Sequence, residues 1–308
     1  GERVPETEGV RLEEGPAHPA IGFLEREVYR RRDTGALHDL VRRPHVALDL
    51  LPWFRRDGEI LVLVRQAYPR PLLTCSQASG GMLDGSRPGG YVTEPLSVLL
   101  RDRPPGQTVE RALQERAGLE PGALRSVVQG SRFYPSPGGT LEEVQAVLVE
   151  VDPLEVEARP AGVSGFSTSG RVSAVEASQL LRAAQVGGLP DARLEMHIYE
   201  LLGSVGRSPG SWIGALPEVA EVAEPLEVSP LAGLLSRPRR RVWEALGPGD
   251  AGFLEVPCAE FLEWSARGTL LNRVPLEYAV PRSRSLHTVA CAVLVRQGDR
   301  VLLGLDDD

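Results

Sequence analysis

The charged residues between positions 111 and 116 have the spacing of a helix face and could take part in metal chemistry. Positions 112, 115 and 116 share that face. Three carboxylates there would offer oxygen ligands to Mg²⁺ or Mn²⁺ bridging the phosphates of a diphosphate substrate. The sequence has Ala112, Glu115 and Arg116 instead. Because a divalent ion needs several oxygen ligands and a guanidinium repels it, we expect weak or no metal binding by Glu115.

The stretch 97–119 resembles the box of the Nudix superfamily, G-x5-E-x7-R-E-U-x-E-E-x-G-U, in which U is an aliphatic residue. The positions that fit the box are Arg111, Leu113, Glu115, Gly118 and Leu119. The positions that depart from it are Ser97, in place of the first Gly, and Arg103, Ala112 and Arg116, each in place of a Glu. The resemblance implies a Nudix scaffold that has lost most of its metal-binding carboxylates.

Two further segments are similar to the ADP-ribose pyrophosphatases and related nucleotide-sugar diphosphatases. Residues 64–71 resemble the Val-Arg-Gln segment that follows the same hairpin in that subgroup, and residues 134–143 resemble its Ser-Pro-Gly-x-x-x-Glu loop. In the family, this loop supplies a Glu as base or metal ligand, so the resemblance implies that role for Glu142 or Glu143, beside Glu115. The residues it implies for substrate contacts are Arg65, Glu94 and Arg111.

Composition excludes several other classes of protein. The chain has 308 residues and a net charge of -8, which gives no general attraction to nucleic acid or to an anionic membrane surface. All 34 basic residues are Arg, which excludes a P-loop lysine and a Schiff-base lysine. No apolar run approaches the ~18 residues of a membrane span. With Cys75, Cys258 and Cys291 far apart and no signal-peptide pattern, we expect a cytoplasmic protein.

The elements that must position these residues can be read from local patterns. Two hairpins are predicted, over 22–41 with a turn at 33–35, and over 45–66 with a turn at Asp57 and Gly58. A helix over 108–117 closes at Gly118, and a strand follows at 144–151. An amphipathic helix is predicted over 173–184. Residues 188–202 resemble the family's closing helix, which follows an Asp-Ala pair, with His197 as a packing or capping residue. Residues 79–90 read either as a flap over the pocket or as a disordered insertion.

These elements predict an α/β (α+β) fold, a Nudix-type αβα sandwich with a mixed sheet over residues 21–205. Residues 1–20 read as a loose tail, and 206–250 as a connector with one or two short helices. Residues 251–255 echo 21–25, and 287–305 echo 45–65, so a partial second Nudix-like unit is predicted over 251–308. Either catalytic machinery of that unit lies beyond this sequence, or the half unit packs on the first domain as an accessory sheet.

Three functions are consistent with the sequence. The first is a catalytically degenerate Nudix domain, retained to bind a nucleotide or nucleotide sugar or as a structural module. The second is an active Mg²⁺- or Mn²⁺-dependent hydrolase of ADP-ribose or a nucleotide sugar, in which Glu115 acts with Glu94, Glu142 or Glu143. The third is an interaction module that forms a homodimer, since the family often dimerises through its N-terminal strands, here residues 21–43.

Overall fold

A computed structural model gives the architecture of the chain. The structure describes residues 11–43, 45–66, 92–100, 104–153, 159–160, 171–189, 191–211, 219–221, 242–265, 267–282 and 293–304. Several predicted features lie outside these ranges, namely the connection over 79–90, Arg103, most of the segment 64–71 and the start of the second repeated segment. The fold is rich in strands and mixes helix and sheet, as predicted.

A mixed sheet of eight described strands forms the centre of the molecule, in the order β10-β11-β5-β4-β9-β8, with β6 on β5 and β7 on β4. Strands β4 and β9 are parallel and the other neighbours are antiparallel. The strands are β4 (Ala47–Arg56), β5 (Glu59–Gln66), β6 (Thr93–Glu94), β7 (Leu96–Leu99), β8 (Leu124–Phe133), β9 (Val144–Val151), β10 (Arg159–Pro160) and β11 (Arg171–Glu176).

Helices cover both faces of this sheet. Helix α1 (Pro105–Ala117) packs on one face, and α2 (Ala177–Gln185) and α3 (Ala192–Ser204) pack on the other. Side chains of β4 alternate between the two cores, with Leu50 on the α1 side and Leu51 on the opposite side, and both are fully buried. The layers therefore run helix, sheet, helix. None of the helices in the described ranges is long and apolar enough to cross a bilayer.

Several local predictions are confirmed. Strands β4 and β5 form a hairpin whose turn residues Asp57 and Gly58 have positive φ angles of 52° and 82°, as a type I′ turn requires. Helix α1 ends at Gly118, which has a φ of 64° and donates its N–H to the carbonyl of Gln114. Helix α3 buries Leu194 and Ile198 with the rest of its predicted apolar face.

One helix prediction is wrong at its start. Residues 173–176 were predicted as helix but belong to strand β11, whose register places Ser173 opposite Val64 and Glu176 opposite Leu61. Pairing with β5 supplies backbone hydrogen bonds there, which overrides a helical pattern of side chains. Glu176 then begins the helix, because its carboxylate accepts hydrogen bonds from the N–H groups of Ser178 and Gln179.

The described residues also form four smaller sheets, in the orders β13-β2-β3, β1-β15-β16, β12-β18-β19 and β14-β17. The hairpin predicted over 22–41 is confirmed as β2–β3, and the paired strands predicted near the end of the chain are confirmed, over the described residues, as β18–β19. The strands are β1 (Arg11–Ala17), β2 (Glu25–Arg31), β3 (Leu37–Arg42), β12 (Ala220–Glu221), β13 (Trp243–Pro248), β14 (Leu254–Glu255), β15 (Cys258–Trp264), β16 (Leu270–Glu277), β17 (Val280–Pro281), β18 (Val293–Gln297) and β19 (Arg300–Gly304).

Two predictions about the linking segments are corrected by these sheets. Residues 11–17 were predicted as loose tail, yet they form β1, which pairs with β15. The predicted connector contains strand β13, paired with β2, at its described end, where no strand was predicted, and most of the stretch expected to contain short helices lies outside the described residues. In both cases the partner strand is more than 200 positions away in the chain, so no local sequence pattern predicts the pairing.

Candidate functional site

Helix α1 does not bring carboxylates together on one face. Ala112 is 2% exposed and packs in the core between the helix and the sheet, where a carboxylate would be desolvated. Glu115 lies on the solvent side of the helix and forms an ion pair with Arg111, one turn earlier. Arg116, one turn after Ala112, is half-buried. The one acid that this face retains, Glu115, is therefore paired with Arg111, a residue that the resemblance implies for substrate contacts.

Arg65 and Glu94, both predicted to contact substrate, contact each other. They face one another across β5 and β6, and Nη2 of Arg65 lies 2.6 Å from Oε1 of Glu94. The two residues are only 3% and 1% exposed, so the ion pair is buried and inaccessible to solvent. A charge-assisted bond at this distance in a buried site is strong. This pair links the end of β5 to the strand that opens the box.

Glu142 and Glu143 precede strand β9, and each has its own arginine partner. Glu142 forms an ion pair with Arg43, which follows strand β3, and both side chains are half-buried. Oε1 of Glu143 lies 3.1 Å from Nε of Arg132 on strand β8. Glu143 also accepts a long hydrogen bond of 3.5 Å from the hydroxyl of Tyr134.

The four candidate acids thus share one feature, since each is neutralised by a guanidinium. Within the described ranges, no group of three or more His, Cys, Asp and Glu side chains is arranged so that it could hold a metal ion. Mg²⁺ requires near-octahedral oxygen coordination and usually takes one or two carboxylates beside the phosphates of its substrate. An arginine already bound to each carboxylate competes for the same oxygen lone pairs. These residues, as arranged, do not fit the metal centre that the Nudix resemblance implies.

Sequence reasoning missed a buried polar cluster on the opposite face of the sheet. Asp49 of β4 accepts a hydrogen bond of 2.6 Å from the hydroxyl of Ser97 and one of 3.3 Å from Nε2 of His197 on α3. Arg193, one turn earlier on α3, lies 3.7 Å from the same carboxylate. Asp49 and His197 are fully buried. The sequence signal was one acid in an otherwise apolar strand, which at a buried position demands partners.

The cluster keeps Asp49 ionised. Burial alone would raise the pKa of this carboxyl group, but the hydrogen bonds from His197 and Ser97 and the charge of Arg193 outweigh burial and lower it. His197, predicted as a packing residue, therefore also orients a buried acid. Ser97 occupies the position of the first glycine of the Nudix box, and its hydroxyl donates a hydrogen bond to Asp49.

A cavity of about 350 Å³ lies between the N-terminal turn of α1 and the central sheet. Its walls are mostly apolar and include Leu48, Val109, Val127 and Val147. Polar side chains that also line it are Gln129, Arg132 and Gln145. Its size falls at the lower end of the range for small-molecule pockets, and an apolar cavity with a few polar groups is their usual composition.

Comparisons with known proteins do not extend this description. A scan of the chain against protein-family models finds no match, and a search among curated proteins finds no significant match. The resemblance to the Nudix superfamily accordingly stays a prediction, based on the residues of the box and the two flanking segments.

Proposed function

We propose that residues 21–205 form a Nudix-like domain that has lost metal-dependent hydrolysis and is retained as a nucleotide-binding module. The observation that carries the proposal is the arginine partner on each candidate acid: Arg65 on Glu94, Arg111 on Glu115, Arg43 on Glu142 and Arg132 on Glu143. A divalent ion would have to displace a guanidinium from Glu94, Glu142 or Glu143, and the exposed Glu115, only weakly paired with Arg111, offers it a single carboxylate.

The cavity beside α1 supports the proposal that the domain binds a nucleotide without hydrolysing it. Its apolar walls suit the face of a heterocyclic base, and the amide of Gln129 can exchange hydrogen bonds with the edge of the ring, whereas the buried amide of Gln145 already donates to the carbonyl of Gly130. Arg132 is 65% exposed on its side chain, so its guanidinium can reach a phosphate group at the mouth of the cavity. The expected ligand is a nucleotide with one base in the cavity and its phosphates toward solvent.

Turnover measurements test the loss of catalysis. Purified protein is assayed with ADP-ribose and a set of nucleotide sugars in Mg²⁺ or Mn²⁺, beside Glu115→Gln and its control Glu110→Gln, which is exposed on the same helix. We expect no metal-dependent turnover above background in any of the three proteins. Robust hydrolysis that Glu115→Gln abolishes and Glu110→Gln preserves would refute the loss of catalysis.

Binding is tested separately, by calorimetry with nucleotides in the presence of EDTA. Val127→Phe places a ring in the cavity from a half-exposed position on β8, and we expect it to abolish binding. Val128→Phe is the matched control, because Val128 is 53% exposed on the same strand and points to the other face of the sheet. Equal affinity of the two variants would show that the cavity is not the binding site.

A further inference from the structure

The strands that precede the two repeated units are exchanged. Strand β1 comes directly before the β2–β3 hairpin in the chain, but pairs with β15 of the second unit. Strand β13 comes before β15, but pairs with β2 of the first unit. The registers correspond: Arg11, Leu12 and Glu13 face Trp264, Glu263 and Leu262, whereas Trp243, Glu244 and Ala245 face Arg31, Arg30 and Tyr29.

Both exchanged strands also have a register shift beside a Gly-Pro pair. The pairing of β1 is interrupted between Glu14 and Ala17, where Gly15 and Pro16 lie, and the pairing of β13 is interrupted just before Gly247 and Pro248. The repeat therefore extends further toward the N-terminus of each unit than residues 21–25 and 251–255. Two equivalent strands making equivalent pairings indicate an approximate two-fold relation between the units.

A reciprocal set of carboxylate contacts follows each exchanged strand. Glu277 of the second unit accepts hydrogen bonds of 2.7 to 2.9 Å from four successive backbone N–H groups, those of residues 21–24. Asp39 of the first unit, which is fully buried, accepts from the N–H groups of Ala251 and Leu254. Residues 251–254 are the repeat of 21–24, so each unit binds the turn that leads into the other.

Arginines extend the contact between the units. Nη1 of Arg26 donates a 2.7 Å hydrogen bond to the carbonyl of Leu254, and its Nε donates to the carbonyl of Gly249 at 2.8 Å. Arg26 also reaches Asp250, which Arg282 binds at 2.6 Å. The interface between the units is thus built from backbone pairing and from charge-assisted hydrogen bonds.

We propose that the second unit is the binding partner of the surface formed by residues 21–43, within the same chain. Each unit receives its outer strand from the other, so neither completes its small sheet with its own preceding segment. Residues 21–43, which we expected to form a homodimer interface, therefore contact the second unit of the same chain. The protein is then a monomer whose two units protect each other's strand edges.

A disulfide across one exchanged pair tests the proposal. Arg30 and Glu244 face each other between β2 and β13, and both are exposed. Opposed residues in an antiparallel pair have a Cα separation that a disulfide can span. Oxidised Arg30→Cys/Glu244→Cys should contain the linked peptide and keep the mass of one chain, 33.3 kDa. The single-cysteine variants control for links to native cysteines.

The alternative results are distinguishable. A linked species of twice the mass would show that two copies exchange their strands, which would overturn the proposal, and absence of any link would overturn the pairing itself. Hydrogen exchange of the full chain gives an independent readout. Glu277→Gln should lose amide protection at residues 21–24 and in β1, whereas Glu260→Gln, which breaks only a surface ion pair with Arg273, should not. Unchanged amide protection of residues 21–24 and β1 in Glu277→Gln would also refute the proposed contact between the units.

Discussion

Replacing Arg65 by Met, with Glu94 left in place, tests whether this pair is a structural element. The two side chains are 4% and 1% exposed, and the atoms Nη2 and Oε1 are 2.6 Å apart. The substitution leaves the buried carboxylate without this guanidinium. If the two residues served only to bind substrate, the substitution would reduce affinity and leave the free energy of unfolding nearly unchanged.

The expected magnitude follows from the burial of the pair. With an effective dielectric constant of ~20 and charge centres about 4 Å apart, the attraction is about 4 kcal/mol. Breaking a buried ion pair by removing one partner costs roughly 3–5 kcal/mol of unfolding free energy. Replacing both partners, as in Arg65→Met/Glu94→Leu, leaves no isolated buried charge and should cost less than either single change.

Urea unfolding followed by circular dichroism measures these differences as a double-mutant cycle. We expect a coupling energy of about 3 kcal/mol between positions 65 and 94. The exposed pair Arg111 and Glu115 is the matched control, and the same cycle there should give about 0.5 kcal/mol or less. A coupling at positions 65 and 94 as small as in the control would refute the structural interpretation of the buried pair.

Two further outcomes can be checked by the same method. The pKa of Asp49 is lowered from its ordinary value of 3.8, because burial, which would raise it, is outweighed by the His197 and Ser97 hydrogen bonds and the Arg193 charge. The ionised group therefore stabilises the fold above pH ~4, and this stability is lost as the pH falls through the folded-state pKa. Asp49→Asn should be less stable at neutral pH and lose less stability on acidification; an unchanged acid slope would contradict this. Gly58→Ala should cost about 1 kcal/mol, since Gly58 has a φ of 82° with open space around it. Gly122→Ala, where the φ is not positive, is the control, and equal losses would contradict the turn argument.

Much of the fold was predictable because its signals are local. The turn at Asp57 and Gly58 fixes the β4–β5 hairpin, since two positive φ angles in succession match the twist of the flanking strands. Gly118 ends α1 for a related reason, its left-handed conformation. The periodic apolar residues of α3 predicted its buried face. Each of these features depends on residues that are close together in the sequence.

The candidate site was predicted in its residues but not in its contacts. Motif spacing identified Glu94, Glu115, Glu142 and Glu143, and the sequence also shows Ala112 at a position where the Nudix box has a Glu. Apart from Arg111, which lies four positions before Glu115 on the same helix, nothing in the sequence indicated these arginine partners, because the other three come from other strands or loops. An ion pair between distant positions is set by which strands become neighbours, and spacing along the chain contains no information about that.

The sequence by itself determined the hairpins, the helix that carries Glu115 beside Ala112 and Arg116, and the similarity of residues 251–255 to 21–25 and of 287–305 to 45–65. Only the tertiary structure decided that β1 and β13 exchange places, that residues 173–176 join a strand, and that Asp49 is buried with Ser97 and His197. The physical reason is the same in each case. Backbone groups and charges removed from water must find partners, and the partners available are determined by the packing of the whole chain.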